Sequence, residues 1–475
     1  MQLPPDAAND HLPGTTTGRS LVLFAEGAAR AGAEALVAAT GARTVALSED
    51  VTQPAPNEML LFEQLGVAVV GTSPQQMLQA GVMATGADGI VAVEPERINH
   101  ALGTTAHAAR SPRSPEYLRG FRDAVLHLTS PTGDGLVGDA SHVTPPDESQ
   151  ATWGIQAVMA VQSALSGKGI RVAVLDTGCD LDHPDLQGRE ITSQSFVAGE
   201  AVQDANGHGT HCIGTSMGPK RPPSGPRYGV AYDAEIFAGK VLSNAGSGSD
   251  AQILGGIEWA VQHGCAIVSM SLGAATRPGQ PFSQVFEAVA ERAQRAGTLI
   301  IAAAGNESNR PISVSPVGHP ANCPSIMAVA AIDANIMVAP FSNRGLSPGA
   351  GQIDVAGPGV DVLSSYPMPA RYRRLSGTSM ATPHAAGVAA LLAEANPDAR
   401  GAALGQLLTT RARRLEHLSS AGVGSPSLKA PARGPRDRSR SACSSPASTS
   451  PRSTTSRPHS RTPGCGSARS WRRSA

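Results

Sequence analysis

A chain of 475 residues has room for two or three domains and a sizeable core, which excludes a single small module. Aromatic residues make up only 3%, while 52 glycines and abundant alanine suit an α/β protein with closely packed helices and tight turns. The net charge of zero conceals a split. From Ser425 onward 11 lysines and arginines face the single acid Asp437, so the preceding body carries about −10 and offers no electrostatic footprint for nucleic acid.

The six cysteines, Cys179, Cys212, Cys265, Cys323, Cys443 and Cys465, show no C-x-x-C spacing, which argues against a zinc site and against a dense disulfide framework. The start, Met1-Gln2-Leu3-Pro4, lacks the basic and apolar segments of a signal peptide, and no apolar run reaches membrane-spanning length. The expectation is a protein with no membrane partner, either cytoplasmic or exported by a non-standard route.

After a disordered N-terminus, residues 1–19, the chain reads as strand 20–24, helix 28–40, strand 44–47, strand 66–71, helix 74–84 with Ser73 as its N-cap, and strand 89–93. The order β-α-β-β-α-β over residues 20–100 is that of a small ferredoxin-like α+β unit. Residues 101–149, rich in Pro, Ser and Gly, read as a linker with one helix near 117–128.

A second α/β unit is expected over 150–424. The apolar strand 169–175 ends at Asp176, where open parallel sheets place their ligand sites. Asn206-Gly207-His208-Gly209 sets an imidazole between two glycines at a helix start, with His211 structural. The strand 297–304 runs into Gly305-Asn306, whose amide can donate into the same crevice. Gly377-Thr378-Ser379 then turns into the apolar helix 385–392, leaving Ser379 at a helix N-terminus whose free N–H groups favour negative charge. Taken singly these are an Asx turn, a helix cap, a turn asparagine and another N-cap. Together they put Asp, His, Asn and Ser beside strand ends and helix starts in one fixed order.

That constellation resembles the subtilisin-like serine proteases over about residues 150–418. The resemblance implies a three-layer fold with a mostly parallel central sheet. It implies a serine endopeptidase acting on polypeptides, with Asp176, His208 and Ser379 as catalytic triad and Asn306 with the Ser379 N–H as oxyanion hole. Gly246-Ser247-Gly248 and Ser271-Leu272-Gly273 then clamp an extended substrate backbone. Ala304 and Gly305 wall a roomy apolar pocket, with Glu307 at its rim as a feature that could admit basic side chains, and His319-Pro320 falls at a cis-proline turn. Residues 20–100 become a propeptide that acts as an intramolecular inhibitor, the processing site falls in the linker, and the enzyme is a broad-specificity zymogen.

No cofactor is implied for the chemistry. Asp185, and more weakly Gln150, match calcium ligands of the family, but the basic loop 218–225 offers few oxygen ligands to a hard cation, which counts against calcium there. Cys212, four residues after His208, matches a thiol-sensitive branch of the family or is simply a small buried residue. Two other functions stay open, a dedicated peptide-processing or transpeptidating relative and an inactive binding module on the same fold. Residues 425–475, with 14 serines and repeated Pro and Arg, read as a disordered basic tail, or as a frame-shifted terminus.

Overall fold

A computed structural model describes residues 16–46, 53–79, 89–102, 146–345, 351–413 and 427–428. The expected helix near 117–128, the end of the helix called at 74–84 and nearly all of the tail lie outside them.

The N-terminal elements are β1 (Thr16–Phe24), α1 (Ala29–Thr40), β2 (Arg43–Val45), β3 (Glu58–Phe62), β4 (Val67–Val70), α2 (Pro74–Gln79) and β5 (Ile90–Ala101). Ser73 caps α2 as expected, with its Oγ accepting from Gln76 N at 3.4 Å. The strands order as β5-β1-β4-β3-β2, antiparallel except for β2 on β3. Four of them form the ferredoxin-like sheet, with one correction. The strand beside β4 is Glu58–Phe62, and the segment expected at 44–47 is a short parallel edge strand outside it.

Alternation along these strands explains what the unit needs. Val22, Phe24, Met59, Ala68 and Val70 face α1 and α2, while Leu21, Leu23, Leu60, Phe62, Val67 and Val69 point the other way, and all are buried. A sheet that is apolar on both faces requires a second covering layer. That layer comes from the next unit.

The larger unit contains α3 (Trp153–Ala157), β6 (Arg171–Asp176), β7 (Ile191–Ser195), α4 (His208–Met217), β8 (Glu235–Lys240), β9 (Ser247–Ser249), α5 (Asp250–Gln262), β10 (Ile267–Met270) and β11 (Leu272–Gly273). It continues through α6 (Gln284–Arg295), β12 (Leu299–Ala303), β13 (Met327–Ile332), β14 (Val355–Pro358), the hairpin β15 (Val362–Ser365) and β16 (Tyr372–Leu375), α7 (Thr378–Ala395), α8 (Gly401–Arg411), β17 (Ala412–Arg413) and β18 (Ser427–Leu428). Its nine-stranded sheet runs β17-β18-β14-β13-β12-β10-β6-β8-β7 and is parallel except at β17 on β18. Val172 and Val174 of β6 pack toward α4 and α7, and Ala173 and Leu175 toward α5 and α6, so helices cover both faces. This is the expected three-layer α/β fold. No helix among the described residues is long and apolar enough to cross a membrane.

The N-terminal sheet lies on α5 and α6, its outer apolar face joining their core. Two of its acids cap those helices. Glu94 accepts from Ser283 Oγ and Gln284 N, both at 2.6 Å, and Glu96 accepts from Ala251 N at 3.0 Å. Arg292 of α6 donates in return to the carbonyls of Leu65, Gly66 and Phe24.

Candidate active site

Each candidate side chain stands at the end of an element that fixes it. β6 ends at Asp176, and α4 begins at His208. The turn between is held by Asp204, a buried carboxylate that accepts from Thr177 Oγ1, Asn206 N, Gly207 N, Thr210 N and Thr210 Oγ1 at 2.7–3.0 Å. Sequence reasoning missed Asp204, which lies three residues before the N-cap Gly207 and so outside any capping pattern. Gly207 is required twice over, because its φ is +100° and an added Cβ would lie 2.3 Å from the Tyr366 ring.

His208 Nδ1 lies 2.7 Å from Asp176 Oδ1, and both side chains are buried. His208 Nε2 makes no hydrogen bond among the described residues, while Ser379 Oγ donates to the Ser271 carbonyl at 3.0 Å. His211 bonds the carbonyls of Val362 and Arg373 at 3.0 and 3.1 Å, a structural role, and burial pushes its pKa down to about 3.

Ser379 sits in the first turn of α7. Pro383, four residues on, has no N–H to bond the Ser379 carbonyl. That carbonyl accepts instead from Ser271 Oγ at 2.8 Å and from Cys212 Sγ at 3.6 Å. Cys212 also lies 3.9 Å from His208 Nδ1, so its thiol ties the helix of the imidazole to the helix of the serine. Cys179, Cys212, Cys265 and Cys323 are all free, buried thiols.

Asn306 follows β12. Its Oδ1 accepts from Thr378 N and Thr378 Oγ1, both at 2.9 Å, and since a backbone N–H can only donate, this fixes which way the amide points. Its Nδ2 donates at 2.5 Å to the carbonyl oxygen of Leu102. A Cβ on Gly377 would lie 2.5 Å from that oxygen and 3.1 Å from Asn306 Nδ2, so glycine is what lets the carbonyl in.

Leu102 arrives at the end of β5, which runs past its own sheet and lies between β9 and β11 as an antiparallel strand. Asn99 is registered with Gly248, His100 with Ser247 and Gly273, and Ala101 with Leu272. Ala101 N donates to Gly246 O at 2.9 Å and Leu102 N to Ser271 O at 3.3 Å. Gly246, Ser247, Gly248, Ser271, Leu272 and Gly273 therefore all grip an extended backbone. The Leu102 side chain passes over Gly273, where an added Cβ would be 3.4 Å from its Cδ1.

Ala304 and Gly305 are tied to the frame, Ala304 N to Val329 O at 3.0 Å and Gly305 N to Thr378 Oγ1 at 3.2 Å. The Glu307 carboxylate accepts from Asn343 Nδ2, so the side chain expected to admit basic groups is already engaged. The His319–Pro320 bond is cis.

The metal reading needs correction. Asp185 is buried, and its carboxylate accepts from Tyr228 at 2.7 Å, from Tyr372 at 2.9 Å and from the Arg371 guanidinium at 3.2 Å. Gln150 is exposed, and its carbonyl accepts from Arg227 N at 2.9 Å. Donors converge on the Asp185 carboxylate where a cation would need lone pairs, so Asp185 does not fit calcium. Tyr228→Phe should lower unfolding stability by about 1.5–3 kcal/mol, the usual worth of a hydrogen bond to a charged group. Denaturant titrations of variant and wild type should be the same in excess calcium and in excess EDTA. A calcium stabilisation present in the wild type and lost in Asp185→Asn would show that Asp185 still takes a cation.

Fold and site together define a subtilisin-like α/β protein with Asp, His, Asn and Ser around one crevice. Residues 167–430 match the model of the subtilase family, Peptidase S8, and the chain belongs to that family. Among curated relatives it is 43% identical to M-protease of Shouchella clausii (strain KSM-K16) and to Subtilisin Savinase of Lederbergia lenta, each over 249 residues. That is 52% of this chain in both cases, 60% of M-protease and 85% of Subtilisin Savinase. A solved cold adapted subtilisin-like serine proteinase superposes with a TM-score of 0.51 at 30% identity, over 60% of this chain and 100% of its own.

Proposed function

We propose that this chain is a serine endopeptidase made as a self-inhibited precursor. Asp176, His208 and Ser379 are its triad, and Asn306 with the Ser379 N–H forms its oxyanion hole. One observation carries the reading, the Leu102 carbonyl held at 2.5 Å by the Asn306 amide, beside Ser379, at the end of a strand gripped on both edges. An inactive binding module has no need of such convergence on a carbonyl.

The chemistry follows the general triad scheme, for which subtilisin is itself a standard example. The Ser379 hydroxyl turns from the Ser271 carbonyl to His208 Nε2, loses its proton there and attacks the carbonyl carbon. The oxygen, now negative, is held by Asn306 Nδ2 and the Ser379 N–H at the start of α7. Asp176 keeps Nδ1 protonated and stabilises the imidazolium, which returns the proton to the leaving amine. Water then releases the acyl group by the same path reversed. In the precursor the bond presented is the one after Leu102. Residues 20–102 thus act as inhibitor and first substrate, and their release leaves a product beginning at Gly103. N-terminal sequencing and intact mass of the matured protein test this, together with fluorophosphonate labelling of Ser379.

The base sets the pH response. Burial disfavours the His208 imidazolium, yet the Asp176 carboxylate holds its pKa well above the ordinary histidine value. Departure of the Leu102 strand leaves Asp176 in place beside the ring. The base must be neutral to accept a proton, so kcat/KM should rise with pH through a pKa above about 6.5. The stability contribution runs oppositely, complete below about pH 6.5 and lost as pH rises through the folded-state pKa. A kcat/KM profile whose acid limb falls at or below that value would speak against His208 as the base.

A further inference from the structure

We propose that the protease selects substrates with a carboxamide side chain, asparagine above all, four residues before the scissile bond counting inward from the cleaved end. The selecting group is the buried carboxylate of Asp250, held by His319. This rests on the endopeptidase reading above and adds a substrate class to it.

The register of β5 sets the position. With Leu102 at the oxyanion site, Ala101, His100 and Asn99 follow outward along the strand. His100 is exposed, while Asn99 turns inward and is fully buried. Its Nδ2 donates at 2.8 Å to Asp250 Oδ1. Asp250 opens α5 directly after the clamp strand β9, and it too is fully buried. His319 Nε2 lies 3.2 Å from the same oxygen, and its ring stands edge-on to Phe286 with centroids 4.6 Å apart. The second oxygen, Oδ2, accepts the main-chain N–H of Arg97 at 2.8 Å.

Removing the inhibitory strand takes away two of these three donors. Any extended peptide long enough can restore the main-chain N–H given by Arg97, whatever its sequence. His319 stays on Oδ1, but the second donor to that oxygen comes from the side chain at the fourth position. A buried carboxylate left one donor short is costly, so a site of this kind discriminates against ligands that lack that donor. Burial pushes the His319 pKa below its ordinary value, which keeps the imidazole a neutral donor and leaves the negative charge on Asp250. Leucine matches asparagine in size but supplies no N–H. Aspartate matches it in shape but brings a second negative charge.

The test uses the matured protein and three chromogenic peptides, acetyl-Arg-Ile-Xaa-His-Ala-Leu-p-nitroanilide, with Xaa as Asn, Leu or Asp, so that the arginine N–H can replace that of Arg97. The Asn peptide should exceed the Leu peptide roughly 10- to 100-fold in kcat/KM, the range for one hydrogen bond to a charged acceptor. The Asp peptide should be the poorest. Asp250→Leu should abolish or invert the Asn to Leu ratio. Because that substitution also alters the start of α5, the wild-type ratio on the three peptides stands as a test independent of any variant. Equal turnover of the Asn and Leu peptides by a protein that labels with fluorophosphonate would overturn the selectivity alone. Failure to cleave any of the three, with no labelling of Ser379, would overturn the selectivity and the endopeptidase reading together.

Discussion

Ser379→Ala should leave the chain at full length, with residues 20–102 still attached, when it is expressed without another protease. Removing the hydroxyl takes away the atom that attacks, while the grip of β9 and β11 on the Leu102 strand and the shared apolar core beneath it are untouched. The inhibited arrangement should therefore persist, and intact mass should show one uncut species. Turnover of added peptides should fall by about a millionfold, a magnitude established on subtilisin and carried over to its relative. Small amounts of active wild-type protein should cut the variant in trans only as fast as the strand leaves the crevice, which time-resolved mass spectrometry can follow. Normal maturation of Ser379→Ala alone would mean that processing belongs to some other enzyme.

Asn306→Leu should lower kcat roughly 100- to 1,000-fold, or about 3–4 kcal/mol, the loss known for a single oxyanion donor from subtilisin itself. The larger effect falls on kcat because the amide donates chiefly to the charge that develops during attack. The Leu102 carbonyl already touches this amide in the ground state, so a modest rise in KM is also expected. Asn306 does structural work as well, because its Oδ1 holds Thr378 N and Thr378 Oγ1 at the start of α7. The two roles separate by active-site titration followed by kinetics per titrated site. Unchanged kcat per site with reduced thermal stability would confine Asn306 to holding the helix.

Much of the site was legible because its parts are local. Asp176 at a strand end, His208 between glycines, Asn306 after Gly305 and Ser379 after Gly377 each mark a place where backbone geometry demands a particular residue, and their order along the chain did the rest. The strand 58–62 was harder to see. Glu58-Met59-Leu60-Leu61-Phe62 has almost no polar alternation, since its sheet is buried on both faces, and a short apolar run has no period by which to identify it.

By itself the sequence determined the chain order of Asp176, His208, Asn306 and Ser379 beside strand ends and helix starts, because glycine-bounded motifs are written within a few residues of one another, and the three-layer fold followed from the family resemblance those motifs carry. Only the tertiary structure decided what depends on groups far apart in the chain. It set Leu102 on Asn306, 204 residues away, and Asn99 on Asp250, 151 residues away. It also surrounded Asp185 with Tyr228, Tyr372 and Arg371, so that a residue matching a calcium ligand in sequence is filled by hydrogen-bond donors in space. A carboxylate reads the same in a sequence whether a cation, an arginine or a substrate amide will face it. Which one does is settled by packing, because burial forces each charge to find its partner among whatever groups the fold brings within about 3 Å.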